Sequence, residues 1–206
     1  MVPNELRGLV LASLFAALTA VGALIALPIG PVPIALQNFF VMLMALLLGP
    51  RWALAGMGAY LLAGALGLPV FAGGTSGLAR FAGPTGGYLV GYLPCVLLIG
   101  WISERGRGHR LVDALAMVCG TAALYACGVA WLKLLTGMAW GKAVAVGVIL
   151  FLPGDIAKII TAVLVINSLR QLTAMSGTAS GPATGATPSL QADKWRPPSG
   201  SLGKQR

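Results

Sequence analysis

The feature that most constrains this chain is a succession of apolar runs, most of them close to bilayer-spanning length and separated by basic or glycine- and proline-containing breaks. About 20 helical residues cross a hydrocarbon core about 30 Å thick. A soluble domain carries about a quarter charged residues. Here 9% are charged and 57% are hydrophobic, so the chain reads as an integral membrane protein. Removing the apolar runs leaves no water-soluble domain of useful size.

Taken in order, residues 8–29 form the first run. At 22 residues it exceeds the about 7–15 of a signal-peptide core, so it reads as a retained first span. Gly30-Pro31-Val32-Pro33 stops it. Residues 34–48 form a second, short run with Gln37 and Asn38 near its start, ended by Gly49-Pro50-Arg51. The third run covers 52–68, the fourth 85–102 and the fifth 111–135. The sixth is expected to begin at Pro153, since proline suits the first turn of a helix, and to run to Leu172. Residues 141–152 are then an outer connector or a short surface helix. The expected fold is all-α, with six transmembrane helices in residues 1–172 and a glycine-rich extracytoplasmic loop between helices 3 and 4. Residues 173–206 are polar and aperiodic and read as a disordered cytoplasmic tail.

The net charge of +9 follows the positive-inside rule rather than nucleic-acid binding. With an inside N-terminus and six spans, Arg7, Arg51, Arg105, Arg107, Arg110 and Arg170 fall on the cytoplasmic side. Arg80 and Lys142 fall outside. Both termini are therefore expected in the cytoplasm of a cell whose plasma membrane holds the chain. Cys95, Cys119 and Cys127 lack metal or redox spacing and read as small buried hydrophobes. His109 lies in a basic loop, which leaves a Ser–His hydrolase without a base in the membrane. No GxxxxGK[ST] motif is present, so the chain is not its own ATPase. Neither a cofactor nor a metal is expected.

Two polar islands remain. The first is residues 67–92, which hold eight of the 29 glycines, with Thr75, Ser76 and Arg80. The second is Pro153-Gly154-Asp155 with Lys158. Asp155 and Lys158 are three apart and share a helix face. They read either as a self-neutralising ion pair or as the floor of a polar pocket, because charges in a span usually face an interior or a cavity. Asp155 in the first turn gains from the helix macrodipole. Arg80 is either a solvated loop charge or a carboxylate clamp. Gly73, Gly74, Gly86 and Gly87 serve turns and helix packing or let backbone approach a ligand. Tyr88 and Tyr92 are interfacial aromatics or pocket wall. Ala12, Ala16 and Ala20 repeat every four residues, a spacing that favours close helix contact within the chain or with a partner.

The PVFAGG of 69–74, the GPTGGYLVGY of 83–92, the LPGDIAK of 152–158 and the GPVPIALQ of 30–37 resemble the BioY biotin transporters. These are the substrate-binding S-components of energy-coupling factor (ECF) transporters. The resemblance covers about residues 9–172. It implies a biotin-binding cavity near the outer face, with the loop between helices 3 and 4 covering the substrate. Carried over by motif, Asp155 and Lys158 contribute to the site, with Gly73, Gly74, Thr75 and Arg80 from the loop, and Gly86 and Tyr88 beyond it. Ala12 and Ala16 match the AxxxA that docks the transmembrane T-component, and two cytoplasmic ATPases complete such a transporter. An S-component for another small carboxylated vitamin is the alternative on the same fold. A lipid-acting membrane enzyme with Asp155 as base, and a structural scaffold, are the alternatives of other classes. Self-association stays open.

Overall fold

The computed structural model describes residues 4–27, 32–106 and 109–179. In chain order, α1 (Asn4–Leu24) is followed by a two-stranded antiparallel hairpin, β1 (Ala26–Leu27) and β2 (Ile34–Ala35). Then come α2 (Gln37–Ala65), the short α3 (Ala79–Ala82), α4 (Gly86–Arg105), α5 (Arg110–Thr136) and α6 (Trp140–Val144). A π-helical turn (Ala145–Ile149) leads into α7 (Leu152–Ala179). Among the described residues, five stretches are long and apolar enough to cross a membrane: Glu5–Leu24, Gln37–Ala65, Gly86–Arg105, Arg110–Thr136 and Trp140–Ile166. The chain divides into two units, Met1–Gln171 and Leu172–Arg206.

The second and third expected runs form one helical stretch, α2, broken where the sequence places the break. Gly49 has φ 74° and ψ 177°, a left-handed conformation that favours glycine, and Pro50 follows without an N–H. The break is a reversal. The sulfur of Met44 lies 2.8 Å from where a Cβ on Gly56 would sit. Between positions 44 and 56 a straight helix would rise about 18 Å. The two limbs of α2 therefore fold back on each other at Gly49-Pro50. The first limb starts at Gln37 rather than Ile34, because Ile34 and Ala35 are taken into the hairpin, where they pair with Leu27 and Ala26.

The last helix opens at Leu152, one residue before the expected start, with Pro153 in its first turn. The stretch before it is helical, α6 and the π turn, as one form of the expected connector required. At the other end α7 continues to Ala179, past the expected stop at Leu172. Leu172, Ala174 and Met175 are good helix formers, so no breaker stands at the boundary drawn from polarity alone. The expected tail from 180 onward lies outside the described residues.

Bilayer lipid gives helices little hydrophobic reason to associate, so close packing of small residues has to supply it. On α4, Gly87 faces α5 so tightly that a Cβ there would lie 2.2 Å from the Cβ of Trp131 and 2.6 Å from the Cys127 carbonyl. Gly120 of α5 packs on Ile99 and Gly128 on the Tyr88 ring. Met42, Met44, Met57, Ile99, Met117, Leu132 and Ile166 fill the interior.

Ala12 enters the same kind of contact. It is buried, and its carbonyl lies 2.9 Å from the place a Cβ on Gly56 would take. Ala16 is half-buried against the core. Ala12 thus packs within the chain, against the second limb of α2. The outward face of α1 carries Leu6, Leu9, Val10, Leu14 and Val21 instead.

Two glycine substitutions separate packing from propensity. Gly87→Val lowers the thermal unfolding midpoint in detergent, a loss of roughly 1–3 kcal/mol from overpacking. Gly58→Ala, where a Cβ meets nothing within 4 Å, leaves the midpoint unchanged or raises it.

Candidate functional site

The site is built around the start of α7. The Asp155 amide donates to the Phe151 carbonyl at 2.9 Å, which closes the first turn. Lys158, one turn on, donates from Nζ to Asp155 Oδ1 at 3.1 Å and to the Ala35 carbonyl of β2 at 2.9 Å. The Tyr125 hydroxyl of α5 donates to the other carboxylate oxygen, Oδ2. One carboxylate thus joins α5 and α7, and its lysine partner ties both to the hairpin. The pair is almost out of water, with side-chain exposures of 12% for Lys158 and 4% for Asp155. A buried ion pair persists only where further hydrogen bonds satisfy both ions, and Tyr125 and Ala35 supply them.

Over this pair lies a cavity with about 680 Å³ of space between its atoms, its open mouth included. Its walls are mixed in character. Val32, Pro33 and Ala35 come from the hairpin region, and Gln37 and Asn38 from the start of α2. Tyr88, Leu89 and Tyr92 come from α4, Leu124 and Tyr125 from α5, and Phe151 and Lys158 from the approach to α7 and its first turns. The polar groups are already oriented. The Tyr92 hydroxyl donates to Asn38 Oδ1, and the Tyr88 hydroxyl donates to the Gly147 carbonyl of the π turn at 2.8 Å. A few fixed polar groups on apolar and aromatic walls are the usual form of a small-molecule site.

The glycine-rich stretch closes over the cavity. Gly67, Gly73, Gly74 and Gly77 all have positive φ, between 72° and 107°, which bends the segment repeatedly. Phe71 pairs with Thr75 in a single β-bridge. The segment is fastened on three sides. Gly73 N–H donates to the Ala23 carbonyl of α1 at 3.0 Å. The Tyr60 hydroxyl of α2 donates to the Val70 carbonyl at 2.9 Å. The Trp131 indole N–H of α5 donates to the Gly83 carbonyl at 2.9 Å. Phe71, Ala72, Thr75, Arg80 and Thr85 reach the cavity wall from this side.

The expected residues divide cleanly. Lys158, Thr75, Arg80 and Tyr88 line the cavity. Asp155 sits behind the wall, held by Tyr125 and Lys158. Gly73, Gly74 and Gly86 do not line it. The Gly73 and Gly74 amides bond to Ala23 and Phe71, and Gly86 packs against Phe81 and Trp131. Gln37, Asn38 and Tyr92, left open by the sequence, are on the wall. The sequence reading missed Tyr125, Phe71 and Phe151. The available signal for Tyr125 was a tyrosine midway along an apolar run. Among the described residues no cluster of three His, Cys, Asp or Glu side chains stands ready for a metal.

Fold and site together define a multi-pass helical membrane protein with an internal cavity lined by aromatic, apolar and a few polar side chains. The chain belongs to the BioY family, whose model matches residues 1–175. It is 39% identical over 167 residues to the biotin transporter BioY of Thermotoga maritima, covering 81% of this chain and 98% of that one. It is 41% identical over 169 residues to the biotin transporter BioY of Rhizobium etli, covering 77% and 90%. Its structure superposes with a TM-score of 0.77 on the crystal structure of the S-component for biotin from an ECF-type ABC transporter. That match is 30% identical and covers 83% of this chain and 95% of the other.

Removing one member of the buried pair costs more than removing both. Lys158→Met strands the carboxylate and destabilises the protein by about 3–5 kcal/mol. The double variant Asp155→Asn with Lys158→Met recovers part of that loss, as read from thermal unfolding in detergent.

Proposed function

We propose that this chain is the membrane-embedded biotin-binding subunit, the S-component, of an ECF-type transporter and serves biotin uptake. The observation that carries the reading is the buried Asp155–Lys158 pair with Tyr125 at the base of a cavity whose walls are otherwise aromatic and apolar. Biotin has a ureido group with two N–H donors and one acceptor, an apolar bicyclic body and a carboxylate. Asp155 accepts from the ureido N–H groups once Tyr125 gives way, and Lys158 or Asn38 donates to its oxygen. Tyr88, Tyr92, Phe71 and Phe151 take the bicyclic body. Arg80, exposed at the cavity edge, meets the carboxylate, a group for which arginine is suited. Family membership and the names of the relatives support biotin over other carboxylated vitamins.

The same reading gives six crossings of the plasma membrane, with the two limbs of α2 counted separately, and both termini in the cytoplasm. The charge distribution supports it. The cavity then opens outward. The outward face of α1, with Ala16 at its edge, docks the transmembrane T-component. Two cytoplasmic ATPases hydrolyse ATP, since this chain has no phosphate-binding loop of its own.

The test is labelled-biotin uptake in a biotin auxotroph, with and without co-expressed T-component and ATPases. The chain supports uptake, and the partners raise it. Absence of biotin accumulation under both conditions, with the protein correctly inserted, overturns the proposal. Asp155→Asn and Lys158→Met each weaken biotin retention at least about tenfold, the effect of losing one charged hydrogen bond. Arg80→Gln weakens retention of biotin but not of its carboxamide, which lacks the charge. Equal loss for both ligands removes Arg80 from the carboxylate.

A further inference from the structure

A second recess lies at the far end of the bundle from the biotin cavity. Its walls are Pro50, Leu97, Leu98 and Trp101. It forms because Gly100 lets the α2 reversal press on α4, with the Pro50 nitrogen 2.5 Å from where a Cβ on Gly100 would sit. Leu97 and Trp101 beside this contact stay 39% and 52% exposed, on the outside of the bundle.

The rim is basic and aromatic. The Arg105 guanidinium stacks over the Trp101 ring, 3.5 Å from its centroid. Arg51, next to Pro50, lies over Trp52 at 5.5 Å. Its ion pair with Glu5 is 3.5 Å long and largely exposed, so it holds Arg51 weakly. Glu104 stands against Gly49. Arg7, Arg51, Arg105 and Arg110 against Glu5, Glu104 and Asp113 leave this end of the molecule net positive, by a single charge among these groups. Gly8 against Trp52, Pro50 against Gly100 and Ser103 bonded to Asp113 bring the starts of α1 and α5, the α2 reversal and the end of α4 to one level. Tryptophans with arginines at one level mark a bilayer interface.

We propose that this recess is a binding site for an anionic phospholipid, with one acyl chain against Leu97, Leu98 and Trp101 and the phosphate on Arg105 and Arg51. An acyl chain suits an apolar groove that faces lipid. A guanidinium offers a phosphate two parallel donors. Stacking on Trp101 holds Arg105 in place, which lowers the ordering cost of that contact. Basic recesses between helices at the cytoplasmic level are suited to anionic headgroups. Lipid bound there braces the α2 reversal against α4.

The experiment uses the purified full chain in detergent, titrated with phosphatidylglycerol or phosphatidylcholine brominated on the acyl chain. The difference in tryptophan fluorescence between the native protein and Trp101→Phe isolates the Trp101 signal. Phosphatidylglycerol quenches this signal at a mole fraction about fivefold lower than phosphatidylcholine does. Arg105→Gln abolishes the preference, Arg105→Lys keeps part of it, and biotin retention is unchanged in both. Equal quenching by the two lipids shows an ordinary lipid annulus and overturns the site. Absence of Trp101 quenching by either lipid, whether the groove is shut or covered by a second copy, also overturns it. A preference that survives Arg105→Gln removes the headgroup assignment.

Discussion

The structure of the site depends on keeping one carboxylate charged where water scarcely reaches. Asp155 and Lys158 are a turn apart, which brings them into range but does not stabilise them. The Tyr125 hydroxyl, the Ala35 carbonyl and the N-terminal position of Asp155 in α7 supply the remaining compensation. Each of these groups comes with its own constraint. Tyr125 fixes how α5 meets α7, and Ala35 fixes where the hairpin crosses the mouth of the bundle. The pair therefore sets both the floor and one edge of the cavity.

The cover depends on a different chemistry. Its backbone bends through four positive-φ glycines and is fastened to α1 at Gly73, to α2 at Val70 and Gly77, and to α5 at Gly83. A single net hydrogen bond contributes only about 0.5–1.5 kcal/mol. Such bonds and the edge contacts of Phe71 with Tyr60 and Phe81 hold the segment against the helices.

Much of the fold was legible because run length and charge report directly on a bilayer. The break at Gly49-Pro50 and the helix start near Pro153 follow from backbone chemistry that a single residue carries. The hairpin was not legible. Gly30-Pro31-Val32-Pro33 reads as a stop signal, and nothing local states that Ile34 and Ala35 turn back on Ala26 and Leu27. In the site, Asp155 and Lys158 were legible because charge in an apolar run demands a reason. Tyr125 was not, since its hydroxyl acquires a role only when α5 packs on α7. A glycine pair reads equally as backbone offered to a ligand or as room for packing, and here a Cβ on Gly86 would meet the Phe81 carbonyl and one on Gly87 the Trp131 side chain. Ala12 repeats that ambiguity on α1, where Gly56 occupies the surface.

The central claim is that this cavity takes biotin through the Asp155–Lys158 floor. Equilibrium dialysis of the purified chain against labelled biotin, with unlabelled biotin and other carboxylated vitamins as competitors, tests it most directly. The account predicts one biotin retained per chain, displaced by biotin and not by the other vitamins. Failure to retain biotin, or its displacement by an unrelated carboxylated vitamin at equal concentration, would contradict it.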